Sequence, residues 1–126
     1  MTLINSEQFW QELHSCKIKL EHFKQENVLL KYRLSEMVDN NEDHKFLQIA
    51  EYFQNELLIA DDKLKKLFNK FDEFSAWLRK SENKKELPGE IITEYNKLMK
   101  DIFQFENKFM NLSKEFNEKM FENTRH

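Results

Sequence analysis

The residue types that could hold a metal ion lie close together near the start of the chain, at His14, Cys16 and His22. His22 and Glu26 are four positions apart and would share one face of a helix. Two groups do not complete a coordination set, however, and on a helix His14 points about 200° away from Cys16. Di-iron helical bundles use Glu-x-x-His pairs, and none of the 4 His residues has a Glu three positions before it. We therefore predict neither a metal site nor a cofactor.

Nucleophilic and phosphate-binding chemistry lack the residues they need. Cys16 falls on the apolar side of its helix and has no paired base, so we interpret it as a small buried apolar residue. The chain has 1 Gly, which is too few for a phosphate-binding loop or a dinucleotide fingerprint. The acidic residues lie on charged helix flanks, and we expect Asp61 and Asp62, which interrupt an apolar stretch, to be solvated. The sequence therefore predicts that the protein is not an enzyme.

One short motif suggests an alternative function. The segment His14-Ser15-Cys16-Lys17 resembles the His-x-x-Lys element of histidine phosphotransfer domains, which are helical bundles of about this length. The resemblance implies that His14 is exposed and carries a phosphoryl group received from a kinase. The chain departs from the family pattern at Ile18, because a small residue is expected there and a bulky side chain would crowd an incoming receiver domain.

Apolar residues recur along the chain in alternating steps of four and three residues, the spacing of helices that pack against one another. The longest uninterrupted series covers residues 46–78, and similar series cover residues 9–37 and 91–116. A helix with such a stripe must cover it with another helix. The predicted core stripes are Phe9, Leu13, Cys16, Leu20, Phe23, Asn27, Leu30, Leu34 and Met37; then Phe46, Ala50, Phe53, Leu57, Ala60, Leu64, Leu67, Phe71, Phe74 and Leu78; then Ile91, Tyr95, Leu98, Ile102, Phe105, Phe109, Leu112 and Phe116.

The predicted fold class is all-α, with three long helices over about residues 6–38, 43–80 and 88–122 in a single domain, 1–126. Residues 39–43 are polar and form the first connection, and Pro88 at a first helical position begins the third helix. Asn5 with Gln8 resembles a capping box for the first helix. Short connections force consecutive helices to run antiparallel, so we predict an up-down-up bundle with coiled-coil-like stripes.

Composition limits the class of partner. The formal net charge is -3, and Lys and Glu are interleaved along the chain, so we predict no nucleic-acid binding. No basic segment followed by an apolar core is found at the N-terminus, and no window approaches 18 apolar residues, so we predict no membrane association. The 1 Cys is consistent with a reducing compartment, and we predict a cytoplasmic protein.

Two features remain that the core stripes do not explain. Asn27 is the polar member of the first stripe; it either pairs with its counterpart in a two-stranded coil or meets a polar neighbour at the bundle edge. Phe103 and Met110 lie on the far side of the third helix, and Tyr32 lies outside the first stripe. One interpretation is that such residues are ordinary surface residues partly shielded by Lys and Arg stems. The other, which we predict, is that these three residues contact a protein partner or a second copy.

The predicted function is accordingly a non-enzymatic interaction or assembly module that works through its helix surfaces. Phosphotransfer through His14 is one alternative. The other is binding of a small apolar ligand in the Phe-rich centre of the bundle.

Overall fold

The structure, a computed structural model, describes residues 6–81 and 89–124, with side chains described over 7–81 and 89–120. Three helices account for nearly all of these residues: α1 (Ser6–Asp39), α2 (His44–Lys80) and α3 (Gly89–Thr124). No strand occurs in the described ranges, so the all-α prediction is confirmed. The predicted capping residue Asn5 and the predicted first helical residue Pro88 lie outside the described residues.

The connection between α1 and α2 shows why α2 begins one residue later than predicted. Asp43 has an extended backbone (φ -66°, ψ 124°), and its carboxylate accepts a hydrogen bond from the Lys45 N–H at 3.1 Å. Asp43 is therefore the N-cap, satisfying one of the backbone donors that the first turn leaves unpaired. The Asn41 side chain in turn accepts a hydrogen bond from the Asp43 N–H at 2.9 Å. At the other end of α2, the Ser81 N–H donates to the Leu78 carbonyl at 3.1 Å.

Residue pairs between helices establish the direction of each helix. Across α1 and α2, and across α2 and α3, residue numbers rise in one helix as they fall in the other, so these pairs are antiparallel. Across α1 and α3 the numbers rise together, so α1 and α3 are parallel and lie side by side. The pairs are Phe9–Phe74 and Asn27–Leu57 for α1 and α2, Phe53–Phe116 and Phe74–Tyr95 for α2 and α3, and Phe9–Tyr95 and Phe23–Phe109 for α1 and α3.

The predicted stripes form the core. All the predicted positions of α2 are buried, and those of α1 and α3 are buried except for Cys16, Met37 and Leu112, which are partly buried against it. The core also continues one layer past the predicted end of the α3 stripe. Met120, four residues after Phe116, is 1% exposed, whereas the adjacent Lys119 is exposed.

Aromatic rings occupy much of the bundle centre. The Phe9 and Tyr95 centroids are 4.6 Å apart in an edge-to-face arrangement, and Phe105 stacks on Phe109 at 5.6 Å. Each such pair adds about 0.5–1.5 kcal/mol beyond the apolar area that it buries. None of the described helices combines the length and the apolar content that a membrane crossing requires.

Candidate interaction surface

The residues that could bind a metal do not converge. Within residues 7–81 and 89–120, no group of three or more His, Cys, Asp or Glu side chains is placed to hold a metal ion. His14 and His22 are exposed, whereas Cys16 is partly buried with its Sγ 3.4 Å from the Sδ of Met99. Burial raises the pKa of the Cys16 thiol, so the thiol stays protonated at neutral pH and is a weak nucleophile. Cys16 therefore acts as a small packing residue between α1 and α3.

His14 lies at a groove between the first half of α1 and the last part of α2. The groove has a volume of about 420 Å³, and its lining includes Trp10, Lys17 and Ser75. Arg79 covers the Trp10 ring, with the guanidinium carbon 5.4 Å from the ring centroid. The exposure that the phosphotransfer resemblance implies for His14 is present, and so is the exposed, bulky Ile18. Transfer of a phosphoryl group through His14 remains a prediction.

Asn27 is completely buried, and α2 provides both of its hydrogen-bond acceptors. Its Nδ2 donates to the Leu57 carbonyl at 3.1 Å and to the Asp61 carboxylate. Lys31 donates to the other oxygen of Asp61, whose side chain is 37% exposed. Asn27 thus meets a polar neighbour within the bundle, the second of the two predicted alternatives. Asp61 is thus partly solvated, and it also joins two α1 donors to α2, which was not predicted. Asp62 is exposed as predicted.

The three residues predicted as partner contacts are exposed. The exposed fractions are 61% for Phe103, 57% for Met110 and 61% for Tyr32. Tyr32 also hydrogen-bonds to Glu36, and this bond, with the negative charge of Glu36, raises the pKa of the Tyr32 hydroxyl. Contact of these side chains with a partner stays a prediction.

Ile18 and Tyr32 belong to a continuous row on the outside of α1. The row advances in alternating steps of three and four residues, the same spacing as the core stripe, and lies nearly opposite that stripe. Charged residues make up 34% of the chain, yet none occurs in this row, and every member is exposed. The members of this outward stripe are Gln8, Gln11, Ser15, Ile18, His22, Gln25, Leu29 and Tyr32.

Phe103 and Met110 belong to a similar row on α3. Its only charged member is Glu106, whose carboxylate is 3.0 Å from the Lys19 Nζ of α1. That ion pair, together with the Cys16–Met99 contact, shows that this row lies on the side of α3 next to α1. The members of this flank stripe are Ile92, Asn96, Met99, Phe103, Glu106, Met110, Ser113 and Asn117.

The two stripes flank the groove between α1 and α3, and charged residues such as Lys19 and Glu26 lie between them. His22 of the outward stripe and Met110 of the flank stripe line the same part of this groove, which has a volume of about 460 Å³. We call the two stripes together the α1/α3 face. It includes the three predicted contact residues, Tyr32 on α1 and Phe103 and Met110 on α3.

The outside of α2 differs from the outward stripe of α1, which contains no charged residue. It also exposes Tyr52, Leu58 and Ile59, but charged residues such as Glu51 and Asp62 lie among them. An interface core is normally depleted in charged residues. The outward stripe is therefore better suited than the α2 surface to form the core of a contact, and the exposed apolar residues of α2 serve as matched controls.

The sequence predicted Phe103, Met110 and Tyr32 as contact residues but not the face on which they lie. A signal was present, because the outward stripe has a regular spacing and contains no charge. The contact between α1 and α3 was not readable from spacing, since it depends on how the chain folds back twice.

Comparisons of this chain with protein-family models, with curated proteins and with solved structures find no match.

Proposed function

We propose that this protein is a non-enzymatic interaction or assembly module that binds a protein through its α1/α3 face. The observation that carries the proposal is the exposure of Phe103 and Met110 beside the uncharged outward stripe of α1. Large exposed apolar residues that gather on one surface favour an interaction site over a surface that stays in water.

The chemistry of the face supports a protein partner. Aromatic residues and Met are enriched at protein interfaces, where their burial provides much of the binding free energy. The Gln, Asn and Ser residues of the two stripes provide hydrogen-bonding groups without the desolvation cost of a charge. With a formal net charge of -3, the protein has no excess of positive charge with which to bind a phosphate backbone.

We also propose a cytoplasmic location. The single Cys is a partly buried free thiol in contact with Met99, an arrangement that suits a reducing compartment.

The proposal is tested by capture of partners from extracts of the source cells with the tagged full chain. The test variant is Phe103→Ser with Met110→Ser, and the control variant is Tyr52→Ser with Ile59→Ser on α2. All four residues are exposed, so both variants should keep the far-UV circular dichroism of the wild type. Loss of two central apolar contacts should weaken partner binding by about tenfold or more.

Two results would contradict the proposal. One is equal capture of the same partners by the wild type and by the Phe103→Ser, Met110→Ser variant. The other is a loss of capture in the α2 control variant alone, which would place the working surface on α2.

A further inference from the structure

A row of charged residues runs along the edge of the outward stripe that faces α3. Its members are seven residues apart and alternate in sign: Glu12, Lys19, Glu26 and Arg33. If a second α1 runs antiparallel along the stripe, the same row from that copy lies on the same side. Glu12 then lies opposite Arg33 of the other copy, and Lys19 lies opposite Glu26. Each opposite-charge pair occurs twice because the arrangement has twofold symmetry.

The charge row selects one register. A shift by one heptad in either direction would place like charges opposite one another: Glu12 against Glu26 in one case, and Lys19 against Arg33 in the other. Like charges at an interface are unfavourable. A parallel arrangement would instead place the charge row of one copy opposite the other edge of the stripe in the second copy. The four positions along that edge are His14, Glu21, Val28 and Ser35, and Glu21 is the charged residue among them.

The same register also matches the outward stripe with itself. It places Ile18 against Leu29 of the other copy, twice, so the two exposed aliphatic residues cover each other. It places Ser15 near Tyr32, and His22 near Gln25 at the twofold axis, and both of these pairs can form hydrogen bonds. In the registers one heptad away, Ile18 would face His22 or Glu36 instead.

From this complementarity of charge and side chain, we propose that a second copy of this chain docks on the α1/α3 face, with the two α1 helices antiparallel. The inference rests on the proposed function and names its partner. The outward stripe is about 36 Å long from Gln8 to Tyr32, and a helix docked along it covers about the 10 Å width of α1. The contact area is therefore roughly 360 Å² per copy, which predicts a weak, concentration-dependent dimer.

The flank stripe of α3 lies beside this contact. The charge row and α3 lie on the same side of α1, as the ion pair between Lys19 and Glu106 shows. The antiparallel arrangement therefore brings α3 of both copies to one side. Met110, which shares a groove with His22, lies close to the twofold axis there.

A charge-swap experiment tests the register by sedimentation velocity of the full chain. The wild type should show a mass that rises from 15.5 kDa toward twice that value as its concentration rises. Glu12→Arg should weaken association by about tenfold, because it creates two like-charge pairs in each dimer. Glu12→Arg combined with Arg33→Glu should recover association, because the pairs form again with their signs exchanged. Glu73→Arg on the exposed surface of α2 is the matched control and should leave association unchanged.

Disulfide crosslinking tests the antiparallel direction. In a Cys16→Ser background, a mixture of the Ile18→Cys and Leu29→Cys variants should form a disulfide-linked dimer on oxidation. Neither variant should do so by itself, because a disulfide requires Cβ atoms about 4 Å apart. Crosslinking of Ile18→Cys with itself would indicate a parallel arrangement and would overturn the inference.

The outcomes distinguish this inference from the proposed function. A wild-type chain that stays at 15.5 kDa up to about 1 mM overturns self-association. At that concentration even a weak dimer, with a binding free energy near -4.1 kcal/mol, is half formed. Failure of the double charge swap to recover association also overturns it, because a register based on these pairs requires recovery. Either result leaves the proposed function standing if the Phe103→Ser, Met110→Ser variant still loses other partners.

Discussion

Replacing Asn27 by Leu should stabilise the protein, although it removes two hydrogen bonds. Asn27 is completely buried in the α1 core stripe, and its Nδ2 donates to the Leu57 carbonyl and to Asp61. Its Oδ1 is also buried, and it accepts no hydrogen bond from the protein. Rotating the amide would not help, because both groups around Nδ2 are acceptors.

The expected change follows from three contributions. The substitution loses one neutral hydrogen bond of about 1 kcal/mol and one to a carboxylate of about 1.5–3 kcal/mol. It removes the cost of the unpaired Oδ1, about 1–3 kcal/mol, and buries a Leu side chain, which is worth about 1.5–3 kcal/mol. Asp61 keeps its hydrogen bond from Lys31. The free energy of unfolding should therefore rise by about 1 kcal/mol, in line with the replacement of other buried polar groups by apolar ones.

Urea unfolding followed by far-UV circular dichroism measures this change as a shift in the midpoint at an unchanged slope. The comparison variant is Asp61→Ala, which removes an acceptor of Asn27 and the partner of Lys31. It should lower the free energy of unfolding by about 1–3 kcal/mol, because it leaves a buried donor with one bond fewer. A Leu variant that is less stable than the wild type by 1 kcal/mol or more would refute the reasoning.

Three other positions give independent tests. Gly89 lies in the first turn of α3 and does not have a positive φ, and nothing lies within 4 Å of a Cβ added there. Gly89→Ala should therefore raise the free energy of unfolding by about 0.5–1 kcal/mol in the same urea assay. A lower midpoint for this variant would contradict that account. Cys16, whose pKa is raised by burial, should react with iodoacetamide at pH 8 much more slowly in the folded chain than in urea, and equal rates would show that the thiol is not protected. Because the pKa of the Cys16 thiol is higher in the folded than in the unfolded chain, the neutral thiol contributes to stability below the unfolded-state pKa. This contribution is lost as the pH rises through the folded-state pKa, so Cys16→Ala should reduce the loss of stability at alkaline pH. Phosphoramidate should phosphorylate His14 no faster than the exposed His44, and mass spectrometry under alkaline conditions measures both rates. A clear preference for His14 would favour the phosphotransfer alternative.

The core was predictable from the sequence because burial along a helix depends mainly on the spacing within that helix. Residues 46–78 show this best, since every apolar position of that series is buried. Asp61 was not predictable in the same way. Its role depends on which α1 residue lies opposite it, and spacing within α2 carries no information about Asn27 or Lys31. Met120 was missed for a related reason, because the four-residue step after Phe116 departs from the alternating pattern.

The candidate surface was predictable in part. Exposure of Phe103, Met110 and Tyr32 followed from their positions away from the core stripes, and the structure confirms it. The position of the flank stripe, with Phe103 and Met110, beside α1 did not follow from spacing. It required the contacts that place α1 beside α3, such as the ion pair between Lys19 and Glu106.

The core stripe and the outward stripe lie on opposite sides of α1, and this distribution distinguishes α1 from α2. α1 has apolar residues on opposite sides, with Leu20 and Leu30 facing the core and Ile18 and Leu29 facing outward. A helix that is apolar on both sides is normally an internal helix, because each apolar side must be covered. Within the described bundle, α2 and α3 cover only the inner side of α1. Self-association through the outward stripe would cover the other side, so the proposed dimer explains the distribution of apolar residues on α1 as well as the alternating charge row beside it.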